Sequence, residues 1–229
     1  MVTLVSCIVR SLFEIKGMVN WRSLKDRFRS DLRLFIQHLT TSTKLHIAHR
    51  YFNKLREIAP TDLMCARQGK ETISIELPSS LTSEVEDYFD WIEAYFYTLR
   101  SCIDSFLWEL NLFFKLGLKQ VGNLRKFRES INEKYKDKEI TKLLNDLQNK
   151  PWFNYLRDVR NYLTHRVLSE VASEGSKLYL PSNLETVSYS KRKEFEVIPC
   201  LDNLYINTKE FLEKGYGLLV NESIYSKNL

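Results

Sequence analysis

Arg160, Asn161 and His165 stand close together in a segment that is otherwise apolar and patterned like a helix. His165 is the only histidine in the last three-quarters of the chain. Histidine titrates near neutral pH, and the arginine guanidinium grips phosphate oxygens as a planar fork. On a helix, Asn161 and His165 lie four apart on one face, and Arg157 extends that stripe by a turn. Arg160 lies to one side, with a side chain long enough to swing toward His165. Asn161 could hold one imidazole nitrogen and so orient the other. Such a set suits transfer at a phosphodiester. His165 would act as base toward an RNA 2′-hydroxyl or as acid toward the leaving oxygen. Arg160 would stabilise the extra negative charge on phosphorus. No metal is required, and the sequence lacks the acidic clusters that two-metal nucleases use. The same letters also fit a surface arginine paired with a carboxylate and a histidine satisfied in a core.

The positioning element is a helix from Pro151 to about residue 168, with Trp152, Tyr155/Leu156, Val159, Tyr162/Leu163 and Val167 facing inward. Pro151 suits its first turn, where a missing N–H costs nothing. Before it, residues 123–149 read as a charged helical stretch broken near Tyr135 to Asp137. The strongest helix spans residues 82–116. Its stripe is Val85, Tyr88/Phe89, Ile92, Tyr95/Phe96, Leu99, Cys102/Ile103, Phe106, Leu110 and Phe113/Phe114. Glu84, Glu86 and Asp87 sit where the helix dipole favours anions, Thr82 or Ser83 can cap it, and Gly117 can stop it. At strict helical spacing these aromatics read as core rather than as a base-stacking platform.

Residues 20–58 read as one long helix or two in series, with Leu32, Phe35/Ile36, Leu39, Leu45, Ala48, Tyr51/Phe52 and Leu55 inward. The run Thr40 to Thr43 is a plausible break, and Pro60 ends the segment. A β-prone piece, Thr72 to Leu77, follows. Lys177 to Leu180 and Phe195 to Ile198 look like a hairpin, and a last helix covers roughly 201–220. The fold class expected is all-α: an antiparallel helical bundle with a small β-hairpin excursion near the C-terminus. Two parts of one compact unit are expected, a basic helical segment over 1–60 and a helical domain over 82–225.

Seven glycines and five prolines argue against a turn-rich β fold. Cys7, Cys65, Cys102 and Cys200 have no redox or zinc-ribbon spacing and read as reduced, buried thiols. The apolar stretch Met1 to Val9 is too short to span a bilayer, and Arg10 follows it without a basic lead-in. A cytoplasmic location without membrane association is expected. From Lys16 to Glu57, ten Lys/Arg face three acidic residues in a chain of net charge +5. Glu84 to Glu109 is acidic. The basic part fits a polyanion partner or a solvated face paired with the acidic helix.

The motif resembles the R-x4-6-H signature of HEPN domains: Arg160, a polar Asn161 after it, and His165 after four intervening residues. It sits late in an α-bundle, behind a long aromatic helix and the lead-in Pro151 to Val159, and residues 82–225 carry the resemblance. The family is all-α and usually dimeric, with two motifs facing one cleft. Many members are metal-independent endoribonucleases of toxin–antitoxin, abortive-infection or other antiviral systems. Others only bind RNA or nucleotides. The resemblance therefore implies a homodimer, an RNA substrate, an antitoxin or other regulatory protein as partner, and no cofactor or metal. It makes Arg160 and His165 catalytic and Asn161 orienting. Several members add an acidic residue from the earlier helix. Asp104 is the candidate here, with Glu109 nearly as suitable, and an exposed helix edge is the plainer reading of Asp104. One toxin branch carries a modified tyrosine two residues after the histidine. That position is Val167, which sets this chain apart from that branch.

Weaker candidates remain. His46 and His49, with His38 about two turns earlier, could share a metal, but no third ligand is evident and exposed histidines on a basic helix fit as well. Lys191-Arg192-Lys193 in the presumed hairpin turn reads as solvated. There is no Gly-rich phosphate loop or nucleophile elbow.

Overall fold

A single central helix, α2 (Thr82–Phe113), organises the molecule because nearly every turn of it is apolar or aromatic. The computed structural model describes residues 32–57, 82–121, 123–165, 172–174, 177–184, 188–190 and 192–225, with the backbone alone for Leu32, Phe35, 82–87, His165, 172–174 and 222–225. The other helices are α1 (Leu32–Glu57), α3 (Leu124–Tyr135), α4 (Glu139–Leu147), α5 (Pro151–His165) and α6 (Val197–Tyr225). The basic residues from Lys16 to Arg29, Thr72 to Leu77, Val167, Lys191, Cys7 and Cys65 lie outside the described residues.

The expected α2 stripe is the core. Ile92, Tyr95, Phe96, Leu99, Cys102, Ile103, Phe106 and Leu110 are all fully buried. α1 packs along α2, while α5 and α6 close its other sides. Tyr95 donates its hydroxyl proton to the Leu201 carbonyl of α6 at 2.6 Å, so even the polar tip of a buried ring is satisfied. Burial pushes the Cys102 and Cys200 thiols up, Cys200 to about 12, so both remain protonated and inert near neutral pH.

α1 departs from the expected pattern. Ile36, expected inward, is half exposed, while Leu34, His38, Thr41, Leu45, Ala48, Phe52 and Leu55 form the buried stripe. The run Thr40 to Thr43 does not break the helix. The Thr40 hydroxyl donates to the Ile36 carbonyl at 2.9 Å, and the Thr41 hydroxyl divides its one proton between the Gln37 carbonyl at 3.1 Å and the Glu109 carboxylate at 3.3 Å, which turns competitors for the backbone into followers of the helix. Lys44 ties α1 to α2 by donating to the Ser101 and Ser105 hydroxyls at 2.6 and 2.7 Å.

α2 stops after Phe113, where Lys115 and Gly117 take positive φ angles of 52° and 75°. Asn111 locks this turn: its amide donates to the Leu118 carbonyl and its oxygen accepts from Leu118 N–H, both at 3.0 Å. The chain then reaches α3, capped by Asn123, whose side chain accepts from Lys126 N–H at 3.2 Å. Asn111→Ala is expected to lower unfolding free energy by about 1–3 kcal/mol, since Asn111 is buried and both bonds go. A urea midpoint matching that of the parent would contradict this.

The break expected near Tyr135 to Asp137 lies at Lys136 to Lys138, and Pro151 opens α5. Near the C-terminus the single expected hairpin is replaced by two small antiparallel pairs. β1 (Ala172–Glu174) pairs with β2 (Lys177–Tyr179), and β3 (Pro181–Asn183) with β4 (Ser188–Tyr189). Lys177 to Leu180 still meets the later segment, through a Tyr179–Glu196 bridge and a Leu180 N–H to Phe195 carbonyl bond at 2.8 Å. Val197 and Ile198, however, begin α6. Pro199 falls in the first turn of that helix, where its missing N–H leaves no bond unmade. Among the described residues, no helix is long and apolar enough to cross a membrane.

Candidate functional site

The motif lies on α5, whose buried face is fixed by Phe153, Leu156, Val159 and Leu163. With those four inward, Arg157 and Asn161 fall beyond one edge of the buried face, and Arg160, which projects between Leu156 and Phe153, is half-buried at that edge. Together with Arg100 and Asp104 of α2, these three line a cleft of about 430 Å³. Asn123, Leu124 and Arg125 at the start of α3, Gln148 after α4, and Phe153 complete the lining.

Three of the four sequence-predicted site residues thus meet in one cleft: Arg160, Asn161 and Asp104. His165 is the last residue of α5, and its side chain is not among those described. Asn161 bonds to its neighbour in sequence: Arg160 Nη1 donates to Asn161 Oδ1 at 3.3 Å. The Thr164 hydroxyl donates to the Arg160 backbone carbonyl at 2.9 Å, and the Arg160 side chain lines the cleft.

Asp104 is not on an exposed helix edge. Its carboxylate is only 26% exposed and stands 2.6 Å from Arg100 Nη1, one turn earlier on α2. Arg100 itself is buried, with its guanidinium 5.2 Å from the Phe153 ring centroid. Burial raises the Asp104 carboxyl above the usual carboxylate range, against the pull of Arg100, Arg160 and Lys44. Burial likewise lowers the Arg100 guanidinium, with Asp104 opposing and Arg160 and Arg157 adding to the fall. Desolvation therefore outweighs pairing on both partners.

A pH dependence follows. Because folding raises the Asp104 pKa, its stabilising contribution is complete below its unfolded value of about 3.9 and fades as pH rises through the folded value. Parent minus Asp104→Asn, measured as unfolding free energy in urea, is expected to shrink from about pH 4 toward neutrality. A difference that grows over that range would contradict the burial argument.

Glu109, the other acidic candidate, is elsewhere. Five residues beyond Asp104, it points roughly 140° round the helix, into the core between α1 and α6. There it meets His38 Nδ1 at 2.9 Å, the Tyr216 hydroxyl at 2.7 Å and the Thr41 hydroxyl at 3.3 Å. His38 is consequently buried rather than an exposed member of a basic helix face. His46 is exposed, and His49 stacks on Tyr205 at 5.0 Å between centroids. Among the described residues, no group of three or more His, Cys, Asp or Glu could hold a metal. Arg192 and Lys193 are exposed, as expected of a solvated turn.

Sequence reasoning did not single out Arg100, Arg125, Asn123 or Gln148. An arginine midway along an apolar helix, one turn before an aspartate, was a usable signal for Arg100. The other three reach the cleft only through the turn after α2 and the pairing of α3 with α4, which no local pattern encodes.

The family model described as Cthe2314-like HEPN matches residues 32–216. The chain belongs to the HEPN family. The match takes in α1 through most of α6, so the whole bundle around α2 is family fold, and the Arg160 motif occupies its cleft-lining helix. Membership points to nuclease or other RNA-related work, or to nucleotide binding. No curated protein and no solved structure matches the chain.

Proposed function

We propose that this HEPN protein is a metal-independent endoribonuclease, working as a homodimer in which two copies of the motif face one composite groove. The observation that carries the reading is the convergence of Arg160, Asn161 and Asp104 in one cleft, with further arginines around them. His165 takes the proton of an RNA 2′-hydroxyl. The 2′-oxygen forms its bond to phosphorus as the bond from phosphorus to the 5′-oxygen breaks, and that oxygen leaves with a proton from the partner imidazole or water. The products are a 2′,3′-cyclic phosphate and a 5′-hydroxyl. Arg160 neutralises the charge gathered on the non-bridging oxygens. Asn161, which accepts a hydrogen bond from the guanidinium, orients it. Asp104 keeps Arg100 in place and adds a negative counterweight that steers Arg160.

An enzyme of this kind, needing no metal and no cofactor, would be active wherever RNA is present. A restraining partner such as an antitoxin, in a toxin–antitoxin or antiviral setting, fits that chemistry. The test is incubation of the purified chain with total RNA in EDTA, beside Arg160→Ala and His165→Ala variants. New fragments ending in 2′,3′-cyclic phosphate, lost in both variants, are expected. Cleavage that survives both changes would overturn the mechanism. RNA retention without cleavage by the parent would make the protein a binding module of the same fold.

A further inference from the structure

The cleft beside Arg160 contains more positive charge than one scissile phosphate calls for. Four guanidiniums line it, from Arg100, Arg125, Arg157 and Arg160, against the single carboxylate of Asp104. That carboxylate is already committed to Arg100 at 2.6 Å. Arg125 and Arg157 also hold Glu129 at 3.7 Å and Asp158 at 2.8 Å, but these are exposed pairs, and neither acid lines the cleft. Pairs of that kind contribute little and yield readily to a better anion. The first turn of α3 adds a helix N-terminus at the rim, with Leu124 and Arg125 in the lining, where backbone N–H groups and the dipole favour an anion.

Charge is not the only feature. The amide side chains of Asn123 and Gln148 share the lining with the arginines. The Gln148 amide carries a donor and an acceptor side by side and so can match the edge of an unpaired base, while Asn123, whose oxygen caps Lys126 N–H, offers its amide N–H groups. The volume of about 430 Å³ lies in the range of small-ligand sites and admits a single nucleotide.

We propose that this cleft is a nucleotide subsite within one chain: it holds the nucleotide next to the scissile linkage, with Arg100, Arg125 and Arg157 on its phosphate and Asn123 and Gln148 at its base. The inference rests on the RNA-directed reading of the same cleft, but it concerns binding and base choice, which do not require cleavage. Arg160 then serves the reacting phosphate while the other three serve its neighbour. Preference among bases arises from residues far from the motif in sequence.

The test uses the full chain and a fluorescein-labelled 2′-O-methyl RNA oligonucleotide, which binds as RNA does but has no free 2′-hydroxyl to attack. Arg125→Ala and Arg157→Ala remove partly or largely exposed side chains and should fold. Each is expected to weaken binding about tenfold at low salt. Each should also lower the slope of log affinity against log salt by about 0.7, the value for one phosphate contact on a single strand. Arg192→Ala, an exposed cation outside the lining, should change neither. Gln148→Ala should flatten the preference among four homopolymer oligonucleotides while leaving the salt slope alone. Adenosine 5′-monophosphate should displace the probe at lower concentration than inorganic phosphate. Affinity and slope unchanged in both arginine variants would overturn the subsite, as would equal competition by phosphate and nucleotide. If the parent binds in this pattern yet cuts no RNA, the subsite stands and the nuclease reading falls. If cleavage depends on Arg160 while Arg125 and Arg157 are silent, the reverse holds.

Discussion

Arg160→Ala is expected to slow RNA cleavage by about two to three orders of magnitude, the loss typical of one preorganised charge-stabilising donor, with folding intact. The two halves of that expectation have separate physical grounds. The side chain is half-buried and its hydrogen bond is to the exposed Asn161. Removing it empties no core position, and such substitutions usually change stability by no more than about 0.5 kcal/mol. The guanidinium also depresses the ionisation of buried Arg100, an unfavourable like-charge contact. Its loss relieves that repulsion but also removes an attraction for the Asp104 carboxylate, so the two changes oppose one another and stability should hold. Rate, by contrast, depends on charge placed where the phosphorane forms. Arg160→Lys restores the charge without the planar fork and should recover part of the rate. His165→Ala should cost about two to four orders of magnitude as the proton-transfer group is lost. The double variant should be little slower than the worse single one, because groups acting in one step are not additive. Initial rates in EDTA, set beside urea midpoints, check each part. Slow cleavage explained by an unfolded fraction would sink the assignment of Arg160 to chemistry.

What the sequence made legible follows from where structure is locally encoded. α2 could be read residue by residue, since Tyr88 to Phe114 repeats at three and four and needs no knowledge of its neighbours. The Pro151 start of α5 and the break before Glu139 are likewise local. Arg160 and Asn161 were found by type and spacing, and Asp104 by being a carboxylate in an apolar run. All three line the cleft because α5 packs its apolar face on α2 and the polar edge beside that face runs past Asp104.

The misreadings share one cause. On α1, apolarity placed Ile36 and Leu39 inward, but the helix is rotated so that His38 and Thr41 face Glu109. A buried carboxylate on another helix decides which face of α1 goes in, and it lies about seventy residues away. The Phe195 to Ile198 run has the β-branched and aromatic character of a strand, yet its second half is helical because the apolar face of α6 closes over α2. The cleft's outer wall, Asn123, Arg125 and Gln148, is assembled from a turn and two helix ends. Its composition is ordinary and its proximity is purely tertiary.

Glu109 gives the largest expected effect on stability. The carboxylate is fully buried and accepts from Tyr216 and Thr41 while pairing with His38, so one group joins α1, α2 and α6. Glu109→Ala would leave those donors facing a void in the core. Breaking a buried hydrogen-bonded pair from one side costs about 3–5 kcal/mol, and for a chain of this size each kcal/mol lowers Tm by about 2–4 °C. Glu109→Gln keeps the shape but presents a donor where one acceptor oxygen stood, so about 1–3 kcal/mol should go. Replacing the group together, Glu109→Leu with His38→Leu and Tyr216→Phe, removes the donors along with the acceptor. It should recover much of the loss, since apolar packing often matches a buried polar cluster. Because Glu109 faces away from the cleft, cleavage per folded molecule should be unchanged in all of these variants, unlike Arg160→Ala. Calorimetric Tm and rates corrected for the folded fraction decide the matter. If Glu109→Ala melts with the parent, the network adds nothing to the core. If it melts normally but cleaves slowly, Glu109 rather than Asp104 is the carboxylate that serves the site.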